Sequence, residues 1–169
     1  REQARIAEQQ GANARAALTF LTDTLAAAAP DQRLDANVNV RSLLERARAK
    51  LDAREGIEPA VRQPIQRMLA NLHATLGDLP TALTLYEAGL KGVDAQGHED
   101  ALALADDLAN YAMTLGALER GKESLAAYQR AARLRRTHAP GDRAAELSSL
   151  HGLGFGHYRM GDHKAAEAE

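Results

Sequence analysis

The chain contains no cysteine and no tryptophan, only 4% of it is aromatic, and among 169 residues there are 4 valines and 3 isoleucines. Each shortage removes something. Without cysteine there is no disulfide, no thiolate metal site and no cysteine nucleophile. With so few β-branched and aromatic residues, a sheet has little to be built from. No stretch comes near the ~20 consecutive apolar residues that a membrane-crossing helix needs, so no membrane insertion is expected. A dominant charge is missing as well: 21 basic residues face 23 acidic ones, net −2, with no long block of either sign. Nucleic-acid binding draws on a basic stripe, and that partner class is set aside. The short run Arg133-Leu134-Arg135-Arg136 is read as the cationic last turn of a helix, where the macrodipole favours it.

What is present is alanine and leucine, 36 and 24 residues respectively. Both lose little on entering a helix. A core made of them is thin, so helices must approach closely, which suits stacked hairpins better than one large globular core. The first segment, residues 2–29, has no proline and places Ala14, Ala17, Leu18, Leu21, Leu25 and Ala28 at three- and four-residue steps, the mark of an amphipathic helix. Its first ten residues hold only Ile6 as a large apolar group and read as a solvated stalk. Pro30-Asp31 breaks it. A second helix is expected over residues 39–54, with Leu43, Leu44, Ala47 and Leu51 on one face and Gly56 beyond its end.

From Glu58 onward the chain repeats. Leu69-Ala70, His73, Leu76-Gly77-Asp78, Ala82 and Tyr86 return 42 residues later as Tyr111-Ala112, Leu115, Leu118-Glu119-Arg120, Ser124 and Tyr128. A further 42 residues give Leu153-Gly154, His157, Met160-Gly161-Asp162 and Ala166. Small positions stay small, and most large ones stay large. The expectation is an all-α chain of two leading helices (1–57) followed by helical hairpins (58–169), the last one truncated. The paired helices are placed at 59–76 and 79–92, 100–119 and 121–137, and 143–160 and 163–169. Both ends, Arg1-Glu2-Gln3 and Ala166 to Glu169, fall in helical sequence, as expected of a piece cut from a longer chain.

The repeated Leu-Ala/Gly, ring position, Gly-Asp, small residue and Tyr resemble the tetratricopeptide pattern. That likeness implies a tetratricopeptide-type solenoid in which Ala82, Ser124 and Ala166 let the second helix of each hairpin sit on the first. Tyr86 and Tyr128 would fill the gap to the next hairpin. The usual repeat is about 34 residues, and the surplus is assigned to the links at 94–100 and 137–142. The stretch Gly97-His98-Glu99-Asp100 resembles the link of 42-residue repeats of kinesin-light-chain type, without its proline. Over nearly the whole chain, Phe20 to Leu25, Ala29-Pro30-Asp31, Leu43 to Ala47 and the repeats are similar to the region that follows the kinase domain and membrane helix of bacterial eukaryotic-type serine/threonine kinases. No kinase motif is present, so kinase activity is not carried over. What the resemblance implies is an extracytoplasmic (periplasmic) domain of an inner-membrane protein, with a cytoplasmic location as the alternative.

Candidate chemistry is sparse. His151, His157 and His163 are six residues apart, whereas helical neighbours are separated by three or four, so no metal site is expected. Gly152-Leu153-Gly154-Phe155-Gly156 lacks the preceding strand that a phosphate loop requires and lies inside an expected helix. Serines 42, 124, 148 and 149 have no paired base. No catalytic residue, no cofactor and no enzymatic activity are expected. The expected function is a sensor or scaffold that binds protein or peptide through a concave groove lined by the first helix of each hairpin. Arg67, Asn71 and Asn110 should point into that groove, with Thr75, Asp106 and Met113 nearby. By resemblance, the first three match three of five positions with which some tetratricopeptide domains clamp a peptide carboxylate; Ser148 and Gly152 fall on the other two and leave the clamp incomplete. The alternative is an oligomerisation module, a homodimer through the N-terminal helix.

Overall fold

A computed structural model describes Thr19, residues 40–94 and residues 98–168. These residues form seven helices, α1 (Val40–Ala53), α2 (Pro59–Thr75), α3 (Leu79–Gly89), α4 (His98–Ala117), α5 (Gly121–His138), α6 (Arg143–Arg159) and α7 (His163–Ala168), and no strand. The chain divides into two compact units, Arg1–Gly89 and Leu90–Glu169. In the first, α1 packs on α2 and α2 pairs with α3; in the second, α4 pairs with α5, α5 with α6 and α6 with α7. The expected helix over 2–29, with its stalk and any pairing through it, lies outside the described residues.

The elements start and stop where local chemistry dictates. Pro59 opens α2 in its first turn, where the missing N–H costs nothing. Asp142 caps α6, its carboxylate accepting from the Ala144 and Ala145 amides at 2.9 and 3.1 Å. Asp162 accepts from the Ala165 amide at 3.2 Å. The helix expected over 79–92 ends at Gly89, because the chain turns through Gly92 at φ +66°.

The 42-residue repeat is written into the backbone as well as the sequence. Gly77, Glu119 and Gly161 all take left-handed φ, at 79°, 63° and 76°. At each, the same pair of bonds closes the first helix of a hairpin. Asp78 N–H donates to His73 O at 2.9 Å, Arg120 N–H to Leu115 O at 2.9 Å and Asp162 N–H to His157 O at 3.0 Å. Gly77, Glu119 and Gly161 donate to the carbonyls of Ala74, Gly116 and Tyr158 at 3.0, 3.1 and 2.9 Å. This is a Schellman-type stop, and it satisfies carbonyls that the helix end would otherwise orphan.

Small repeat positions carry the packing. Ala70, Ala82, Ala112 and Ser124 are fully buried, and Ser124 Oγ donates to the Ala112 carbonyl at 2.7 Å, stitching α5 to α4. Tyr128 leans on α6: a Cβ on Gly152 would stand 2.6 Å from Tyr128 Cδ1, so only glycine fits there. Tyr86 is fully buried within the first unit. At about 1.5–3 kcal/mol for each large side chain removed from water, Leu51, Ile65, Leu69, Leu104 and Leu115 supply much of the remaining stability.

Candidate functional site

Arginine outnumbers lysine 17 to 4, and the structure shows where the preference is used. Helix C-termini leave carbonyls without partners and carry partial negative charge. Guanidinium groups from neighbouring helices reach them. Arg62 donates to Leu51 O at 3.0 Å and also to Arg54 O, at the end of α1. Arg41 reaches Leu76 O at 3.5 Å beyond α2, and Arg159 donates to Gly116 O near the end of α4. A planar fork of donors serves a carbonyl cluster better than an ammonium point charge.

Arg67 belongs to this set. Its Nη1 donates to the Gly89 carbonyl at 2.9 Å, closing the end of α3. Asn71, one turn on, accepts the Tyr86 hydroxyl at Oδ1, and the exposed Thr75 turns its Oγ1 back to Asn71 O at 2.8 Å. At spacings of four, the three share one face of α2. In the second unit, Asp106 is exposed and accepts from the buried Arg135 at 2.7 Å. Asn110 is half-buried and its carbonyl accepts from Thr114 Oγ1 at 3.0 Å. Met113 is 53% exposed. Of the six expected groove residues, Met113 is the one large apolar side chain standing in solvent.

The 42-residue step from Met113 leads to Phe155, 39% exposed on α6. Its ring meets Tyr128 edge-on, centroids 6.4 Å apart at 83°. Phe155 Cε1 lies 3.7 Å from the point where a Cβ on Gly116 would stand, so the ring crosses from α6 onto α4. In the sequence Phe155 stands inside the glycine run, and the 42-residue period is the one signal that pairs it with Met113. A separate cleft of about 440 Å³ lies between the end of α5 and the start of α6. Ala132, Leu150 and Leu153 line it together with Arg136, Asp142 and Glu146.

The ionisable groups near these helices do structural work. Burial would raise the Asp78 carboxyl, but hydrogen bonds from Thr81 and His73 outweigh it and hold the group below the usual range. His73 itself is 1% exposed, with Nδ1 at 3.0 Å from Asp78 and Nε2 buried without a hydrogen-bond partner. His157 and Asp162 repeat the pairing more loosely, at 3.9 Å. Hydrogen bonds from Arg120 lower the Glu123 carboxyl. Burial pushes the Tyr128 phenol up to about 12. His163 meets Tyr158 edge-on, centroids 5.5 Å apart. Among the described residues no group of three His, Cys, Asp or Glu is placed to hold a metal ion, and no helix is long and apolar enough to cross a membrane.

No protein-family model, curated protein or solved structure matches the chain.

Proposed function

We propose that the chain is a tetratricopeptide-type, non-catalytic module that binds a peptide segment of another protein. In the second unit the contact face is the first-helix surface bearing Met113 and Phe155. The observation that carries this reading is that pair: two large apolar side chains, both exposed, at equivalent positions of successive repeats, on helices α4 and α6 that touch. Core packing would bury them, and exposed apolar side chains gathered on one face mark interaction sites. Charges bordering the face are already engaged, Asp106 by Arg135 and Arg159 by the Gly116 carbonyl. The favoured ligand therefore offers apolar side chains and does not depend on a terminal carboxylate. Arg67 and Asn71 support the fold of the first hairpin and are outside this contact face.

From the sequence resemblance of residues 20–47 and the repeats to the region following bacterial serine/threonine kinase domains, we infer a sensor or scaffold role in a signalling protein, on the extracytoplasmic side of the membrane. A reporter fused after Glu169 in a cell expressing that protein tests the location; cytoplasmic reporter activity overturns it.

Binding is tested by selecting a random displayed peptide library on the immobilised protein and measuring the enriched peptides by fluorescence anisotropy. Apolar peptides are expected. Met113→Lys should weaken them by about tenfold, or ~1.4 kcal/mol, with an unchanged thermal midpoint. Equal binding by the variant places the contact face elsewhere, and failure to enrich any peptide overturns the proposal.

A further inference from the structure

We draw no further inference here: the strongest candidate, the apolar stripe of Leu147, Leu150 and Tyr158 exposed along α6, carries nothing because nothing in the structure shows what covers it.

Discussion

Arg67 and Gly89 fit one another: the guanidinium closes the carbonyl end of α3 at 2.9 Å, and a Cβ on Gly89 would stand 2.8 Å from Arg67 Cγ. The absence of a side chain at residue 89 lets the arginine stem lie against the helix end while its head caps it. Arg67→Ala should cost about 1.5–3 kcal/mol, the range for a hydrogen bond made by a charged donor. Arg67→Ala together with Asn71→Ala should lower the thermal midpoint and leave peptide binding unchanged. Loss of binding with an unchanged midpoint would instead make these residues part of the contact face.

Glu119 occupies the left-handed position that Gly77 and Gly161 hold in the other two repeats. A left-handed conformation costs a residue with a Cβ about 1–2 kcal/mol. Glu119→Gly should therefore stabilise the second unit by about 1 kcal/mol, while Gly77→Ala and Gly161→Ala destabilise by a similar amount. Chemical denaturation checks all three, and a destabilised Glu119→Gly would refute the strain argument.

The His73–Asp78 contact predicts an acid limb. Asp78 has its folded-state carboxyl held low, so its contribution is fully present above the unfolded-state value near pH 4 and is lost as pH falls through the folded one. Asp78→Asn should lower stability at pH 7 and flatten the decline below about pH 4. His73→Leu installs the residue that Leu115 already provides, fully buried, at the same repeat position. It also removes a buried nitrogen without a partner, so it should stay within about 1 kcal/mol of the parent at pH 7. A larger loss would show that the Asp78 contact outweighs the orphaned atom.

Gly152→Ala sets helix propensity against packing. Alanine is favoured over glycine by about 1 kcal/mol in a helix interior, yet its methyl would meet the Tyr128 ring at 2.6 Å. Overpacking of this kind costs about 1–3 kcal/mol. Packing should win, and the variant should unfold at lower denaturant. Tyr128→Leu in the same chain should relieve part of that loss; strict additivity of the two changes would argue against the clash.

Helix α6 should be the least protected of the long helices in the second unit. It contains three glycines, each about 1 kcal/mol unfavourable against alanine, and exposes Leu147 and Tyr158, at 68% and 59%. Its amides should exchange at least about tenfold faster than those of α4, a difference of ~1.4 kcal/mol in opening. Equal protection would contradict the expectation.

The hairpins were legible because their signals are local. Three- and four-residue spacing of Leu and Ala marked the helices, and Gly56, Gly77-Asp78 and Gly161-Asp162 marked breaks between them. Boundaries moved by a few residues where turns decided them, as at Gly92. The proposed contact face was legible only in part. Met113 is exposed, which its place on the helix allows, but the contact of Phe155 is hidden in the sequence because its partner Tyr128 is 27 residues away. The sequence shows the type and helix face of Arg67 and Asn71 but not what fills their hydrogen bonds. Gly89 and Tyr86 do.

By itself the sequence determined an all-helical chain, a 42-residue spacing of hairpins and the small positions at which helices meet. Helix propensity, periodicity and steric size act over a few residues and can be read in order along the chain. Only the tertiary structure decided which polar groups are spent on the fold and which side chains are left to solvent. Arg67, Asn71 and Arg135 find partners across a helix pair, Met113 finds none that buries it, and Phe155 crosses to α4 beside Gly116. Those outcomes depend on the distance between helix axes, which is set by the summed packing of Ala70, Ala112, Ser124 and Gly152 and is carried by no single stretch of sequence.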